Sequence, residues 1–317
     1  MGDFRFVVVG MGIQGPKRVR TAGSDVIATV DPEKKSAQFR HIQDVPLDTF
    51  SAAAVCTPDN AKLGILHYLL SNGKHVLVEK PLLGAFPGEL EQLNALAKAN
   101  GVVLYTGYNH RFEPHFIRMR DIIASKELGA IYYARLFYGN GTARDVRNSV
   151  WRDNGTGVLS DLGSHLIDTL SFWFGEQRDD FEVKMACRHE NKAFDHVSVM
   201  SKRAPVFELE MSLLSWRNSF TADVIGSKGS AHINSLCKWG GAKFNRRWRI
   251  LPSGRPREQT NNIESGDDPT WAAEYKYFKH LCSKGGKGSI EKDIWLERQL
   301  CCLGEQAEAL WSKGSVK

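Results

Sequence analysis

Two clusters of residues in this chain carry chemistry by their types and spacing. The first is Gly10-Met11-Gly12-Ile13-Gln14-Gly15, a G-x-G-x-x-G turn that directly follows the apolar run Phe4–Val9. In such a turn Gly10 permits the sharp reversal, Gly12 lets the backbone approach a pyrophosphate, and Gly15 lets the next helix pack closely on the strand. The helix N-terminus then points its N–H groups at the phosphates, so Gly10, Gly12, Ile13, Gln14 and Gly15 are candidate dinucleotide contacts, and Pro16 suits a first helical turn. A second strand, Asp25–Val30, ends at Asp31, roughly twenty residues after Gly10, where a ribose-binding carboxylate is expected. A carboxylate near 4 Å from an NADP 2′-phosphate would cost about 4 kcal/mol per unit charge at an effective dielectric near 20. Asp31 therefore favours NAD over NADP, although Lys34 and Lys35 offset part of that repulsion. An ordinary glycine turn is the alternative for the string alone; strand, glycines, helix and acid together argue against it.

The second cluster is acid, base and cation. His75–Val78 reads as a strand that delivers Glu79-Lys80-Pro81 at its carboxyl end, the edge where ligands sit in doubly wound sheets. Thr57-Pro58 and Asn109 end two further strands, so Thr57, Pro58, Glu79, Lys80 and Asn109 are expected to complete the cofactor contacts. A lysine beside a reacting oxygen stabilises the charge that develops there. Downstream, Asp161, His165 and Asp168 recur at i, i+4 and i+7 on a helix starting near Ser160, while Leu162, Leu166, Leu170 and Trp173 share another face. The apolar face is expected to anchor the helix and the polar face to look into a cleft, with His165 moving a proton and a carboxylate holding its ring. An exposed polar face with Asp161 as a helix cap is the competing reading.

The elements that must position these residues alternate as strand and helix up to about residue 111, then become mostly strands. The expected fold is α/β: an N-terminal Rossmann domain with a doubly wound parallel sheet over 1–111, followed over 112–317 by an α+β domain with an open, mostly antiparallel sheet. The second domain is expected to bind substrate and to make oligomer contacts, with the C-terminal helix free to pack back on the first. Ile225–Ala231 reads as a hairpin turn in that sheet, and Phe207, Leu209, Met211 and Leu213 as one apolar face, a surface for a second copy or a cover for the domain's own helices.

These motifs resemble the Gfo/Idh/MocA oxidoreductases over nearly the whole chain. The likeness is carried by the Gly-rich turn, Glu79-Lys80-Pro81, Asn109-His110-Arg111, Trp151-Arg152, the Gly157–Gly175 segment with its D-x-x-x-H core, and the Gly226–Ala231 turn. It implies hydride exchange between NAD(P) and a secondary alcohol or ketone, usually on a sugar or cyclitol. It makes Lys80 the contact of the reacting oxygen, His165 the acid/base and Asp161 its substrate-orienting neighbour, with Lys80, Arg111, Trp151, Arg152, Asp161 and His165 around the substrate. The chain departs from the family pattern in a short first helix, a short loop after Asp31, Lys62 where many relatives have histidine, and Gly155-Thr156-Gly157 in place of a fuller glycine run. Arg144, Arg147 and Arg152, and the arginines around Trp248, suit an anionic or nucleotide-linked sugar. A cyclitol dehydrogenase, a reductase like biliverdin reductase and a non-enzymatic NAD sensor are the alternatives.

Composition agrees with a two-domain enzyme: 317 residues, 42% apolar, with a formal net charge of +6. The six cysteines show neither a C-x-x-C pair nor zinc spacing, so they read as reduced thiols and no metal is expected. The reading excludes nucleic-acid and membrane partners and expects a cytoplasmic homodimer or homotetramer acting on a small molecule.

Overall fold

A computed structural model describes residues 4–149, 152–175, 177–264, 266–285 and 289–314. The chain divides into two compact units, Met1–Asn109 with Pro269–Glu297, and His110–Asp268 with Arg298–Lys317. Its helices are α1 (Gly15–Ala22), α2 (Asp59–Ser71), α3 (Glu89–Ala99), α4 (Pro114–Ala124), α5 (Ala143–Arg147), α6 (Ser164–Phe174), α7 (Thr270–Ser283) and α8 (Glu291–Ser312).

The first unit holds five parallel strands, β1 (Phe6–Val9), β2 (Val26–Val30), β3 (Ala52–Val55), β4 (His75–Glu79) and β5 (Leu104–Gly107), in the order β2-β1-β3-β4-β5. A single parallel bridge joins Val30 to Phe39 beyond β2. Counted as a strand, it completes the 3-2-1-4-5-6 order of dinucleotide-binding sheets, so the short loop after Asp31 reduces the third strand to one bridge. All of β1 and β3 is buried, as expected of a sheet covered on both faces. Alternate residues divide between two cores. Val7, Val9, Ala53, Val55, Val76 and Val78 pack with leucines of α2 and α3. Phe6, Val8, Ala54 and Leu77 pack with Tyr275 and Phe278 of α7. That second layer comes from far along the chain, which is why this unit is assembled from two separate stretches.

The second unit is an eight-stranded sheet of β6 (Ile131–Gly139), β7 (Phe181–Cys187), β8 (His196–Ser201), β9 (Val206–Ser212), β10 (Ser219–Gly226), β11 (Gly229–Asn234), β12 (Ala242–Trp248) and β13 (Arg257–Ile263), ordered β13-β12-β11-β10-β6-β9-β8-β7. Neighbours run antiparallel except β6 and β9. β10 and β11 close over Ser227-Lys228, the hairpin legible in the sequence. On one face Phe207, Leu209, Met211 and Leu213 are at most 1% exposed. This apolar face covers the unit's own helices, with Phe174 of α6 ring to ring with Phe207 and Phe116 of α4 ring to ring with Phe220. The other face mixes charged side chains with Tyr133, which is 45% exposed, and Phe137. There Arg135 lies 3.6 Å from Glu208 and 3.9 Å from Glu210, and Asp223 accepts from His232 at 2.5 Å.

The helix expected from Ser160 starts as a wide π-helical turn, Leu159–Gly163, before α6. Ser164 to Ser171 are all buried, while Asp161 in the π turn keeps part of its side chain exposed. α6 packs against α4 and the sheet, and within the unit Asp168 accepts from Arg111 while Thr169 donates to the His165 carbonyl.

Candidate active site

The glycine turn has the geometry its sequence demands. Gly10 takes φ +93°, and a Cβ there would meet the Cys56 carbonyl at 2.7 Å, because β1 and β3 lie side by side. A Cβ at Gly15 would stand 2.0 Å from the Gly10 carbonyl oxygen, so the close start of α1 requires glycine. Gly12 differs: a Cβ there meets no atom within 4 Å. Its glycine answers to no packing demand of the protein, which is what a backbone reserved for a ligand would show. Ile13 beside it is 76% exposed. Gln14 Oε1 and Thr57 Oγ1 are buried with no hydrogen-bond partner, one in the turn and one at the end of β3 against Gly10. Buried polar atoms of this kind are costly unless a ligand satisfies them, and together with the open space at Gly12 they fit a dinucleotide.

Asp31 faces the turn. Its Oδ2 accepts from the Met11 N–H at 2.7 Å, and its Oδ1 from the Glu33 and Lys34 N–H groups at 2.9 Å each. Burial pushes its carboxyl up, but these backbone bonds, Met11 first, outweigh burial and hold it below the ordinary value. Asp31 therefore ties the end of β2 to the glycine turn, a role beyond the ribose contact expected from the sequence.

Lys80 follows β4 at the same carboxyl edge and is half-buried. Its neighbours are gripped. Glu79, expected to contact the cofactor, accepts from Arg18 Nε at 2.7 Å, while Arg18 Nη1 donates to Glu274 at 2.6 Å and its guanidinium lies 4.3 Å from the Trp271 ring centroid. Burial disfavours the Arg18 charge, but Glu274 and then Glu79 more than offset it, and its pKa is raised. Lys62 of α2 donates to Asp59 at 2.6 Å and to the Pro81 carbonyl at 2.9 Å. Asn109 Nδ2 donates to Thr270 Oγ1 at 2.8 Å, and Pro58 caps the start of α2.

In the second unit His165 is 6% exposed, and its ring stacks on that of His110 at 4.1 Å between centroids. Tyr138 of β6 stands edge-on, 5.8 Å from His165. Burial, then Asp161 and Glu113, pushes the Tyr138 phenol up. Arg111 donates from Nε to both Asp168 oxygens, at 2.9 and 3.1 Å, and from Nη2 as well. This bidentate pair clamps α6 one turn beyond His165. Asp161, in the π turn, keeps 39% of its side chain exposed and lies 3.7 Å from Arg152. Trp151 lies outside the described residues. Sequence reasoning missed Arg18, Glu274 and the stacking of His110, because their partners are remote: Arg18 and Glu274 are 256 positions apart.

The model of an oxidoreductase family with an NAD-binding Rossmann fold matches residues 4–108, and that of the GFO/IDH/MocA C-terminal domain matches residues 116–232. Together they take in more than half the chain. The protein belongs to the Gfo/Idh/MocA oxidoreductase family. Among its Gfo/Idh/MocA relatives, the trans-1,2-dihydrobenzene-1,2-diol dehydrogenase of Macaca fascicularis is 31% identical over 225 residues, 69% of this chain and 65% of that protein. The mouse enzyme of the same name is 32% identical over 168 residues, 53% of this chain and 50% of that protein. The chain thus spans less than two thirds of the length of these relatives. A levoglucosan dehydrogenase solved with NADH and L-sorbose superposes with a TM-score of 0.84, covering 98% of both chains at 17% identity, a likeness of fold.

Proposed function

We propose that the protein is an NAD-dependent dehydrogenase that exchanges a hydride with a secondary alcohol or ketone on a hydroxylated ring, a sugar, cyclitol or cyclic diol. The observation that carries this reading lies on one sheet edge: the cradle at Gly12 and Lys80 stand at the carboxyl ends of β1 and β4, separated by β3 alone. Two strand spacings are about 10 Å, a distance that a bound dinucleotide spans with ease. NAD, when bound, supplies the hydride acceptor or donor. Gly12, Ile13, Gln14 and Thr57 would hold its phosphates, and Asp31 its ribose. Lys80 brings an ammonium to the reacting oxygen, where negative charge develops as the hydroxyl proton leaves. His165 takes that proton in oxidation and returns it in reduction, and Asp161 orients the substrate beside it.

The names of the relatives, a ring diol dehydrogenase and a levoglucosan dehydrogenase, support a ring hydroxyl as the reacting group. Arg111 and Arg152 both face carboxylates, Asp168 and Asp161, which favours a neutral ring over the anionic sugar that the arginine count suggests. A panel of cyclic diols, sugars and cyclitols assayed for NAD reduction tests the reading. We expect turnover with at least one class, and a loss of about 10² to 10⁴ in Lys80→Ala and His165→Ala with NAD affinity unchanged by calorimetry. Near-normal turnover in those variants would overturn the catalytic assignment, and tight NAD binding without any turnover would favour a sensor.

Two further features belong to the same proposal. The open face of the second sheet, where Arg135 lies by Glu208 and Glu210 beside the exposed ring of Tyr133, supports self-association through that face. All six cysteines are free thiols, which supports a reducing, cytoplasmic setting. Among the described residues no helix is long and apolar enough to cross a membrane.

A further inference from the structure

Two buried cations grip the residues on either side of Lys80. On one side Arg18, 1% exposed, donates to Glu79; a Cβ at Gly107 would stand 2.6 Å from Arg18 Nη2, so the glycine that ends β5 leaves the guanidinium its room. On the other side Lys62, 2% exposed, donates to the carbonyl of Pro81 while Asp59 balances its charge from an exposed position. A strand-end carbonyl needs only a neutral donor or water. An ammonium taken out of water at that point costs several kcal/mol before its partners repay it, an expensive brace for an ordinary turn.

From this juxtaposition we infer that Lys62 is a positioning residue for Lys80. It ties the turn that carries Lys80 to the rigid start of α2, as Arg18 ties the preceding residue to α1 and α7. Displacement of a reacting group by about 1 Å costs on the order of 10²-fold in rate, so a brace on the adjacent carbonyl bears directly on turnover. The side-chain partners of Lys62, Asp59 and the Pro81 carbonyl, are not among the residues assigned to the cofactor. The inference rests on the reading of Lys80 as the contact of the reacting oxygen.

The test compares wild type, Lys62→Met, Lys62→Arg and Lys80→Ala. The first readout is the rate at which trinitrobenzenesulfonate labels Lys80, followed by peptide mapping, which requires no substrate. The second is kcat with the best substrate of the panel, beside calorimetric NAD affinity. Lys62→Met is expected to change the labelling rate of Lys80 about threefold or more and to lower kcat about tenfold with NAD affinity held, and Lys62→Arg to recover most of both. Unchanged labelling in Lys62→Met overturns the inference, as does failure of Lys62→Arg to rescue while NAD still binds. Should Lys62→Met no longer bind NAD, Asp59→Ala, which removes the partner of the ammonium at an exposed position, takes its place under the same criteria. If Lys80→Ala keeps wild-type turnover, the reading of Lys80 falls and the inference with it. If Lys80→Ala is inactive while Lys62→Met is fully active, only the inference falls.

Discussion

At the scale of single residues, three glycines of one turn answer to different demands, and substitution separates them. Gly15 is imposed by the protein's own packing, since a methyl group there would collide with the Gly10 carbonyl at 2.0 Å. Gly12 is imposed by nothing in the protein. Gly15→Ala is therefore expected to lower the melting temperature and to lose NAD binding together, whereas Gly12→Val should melt like wild type and still fail to bind NAD. Differential scanning fluorimetry with and without NAD checks both; a Gly12→Val protein that binds NAD normally would mean that the pyrophosphate lies elsewhere. Asp31 is a second case of two demands on one residue. Its three backbone bonds make it part of the turn, so its replacement should damage the cradle whichever cofactor is offered.

At the scale of elements, the site depends on short ties that hold turns and helix ends. The Arg111–Asp168 pair fixes α6 near His165, and Asp180 does the same for the β8–β9 hairpin. Its carboxylate accepts from Arg178 Nε at 2.8 Å and Nη2 at 2.6 Å, and from the Arg203 N–H at 2.7 Å. The Arg178 bonds, reinforced by Arg203 and only partly opposed by burial, hold its carboxyl well below the usual carboxylate range. A carboxyl whose folded pKa is depressed adds stability that is full above its unfolded pKa, about 3.9, and disappears as pH falls toward the folded value. Asp180→Asn leaves Arg178 buried without its counter-charge, so it should cost about 3 kcal/mol at pH 7. Because the acid-sensitive part of that stability is already gone, its melting temperature should fall less steeply than that of wild type below about pH 4. Parallel slopes in thermal melts across that range would assign the acid sensitivity to other carboxylates.

At the scale of the whole molecule, the Gfo/Idh/MocA fold carries a dinucleotide unit and, in a second unit, a large sheet whose apolar face is covered by that unit's own helices. The apolar side of that sheet is spent on α4 and α6, so association through it would use the other face, where Arg135 and two glutamates lie beside Tyr133 and Phe137. Under a two-fold axis, Arg135 of one copy would meet Glu208 or Glu210 of the other. Light scattering at micromolar concentration should therefore return a dimer or tetramer that dissociates as salt rises, since exposed ion pairs are screened. A single-copy mass at low salt would exclude the interface.

Features that depend on neighbours along the chain are legible in the sequence. The glycine turn, the strand ending at Glu79-Lys80-Pro81, the Ser227-Lys228 hairpin and the α/β fold class all follow from local pattern: period, turn residues and the fixed geometry of a strand running into a helix. Tertiary structure alone decided which charges meet. Arg18 with Glu274, His110 on His165, and Lys62 on the Pro81 carbonyl are pairings across packed elements, and no spacing in the chain encodes them. The burial of α6 was undecidable for the same reason. A helix with one polar and one apolar face can turn the polar face to solvent or bury it against partners, and only the arrival of Arg111 at Asp168 settles which.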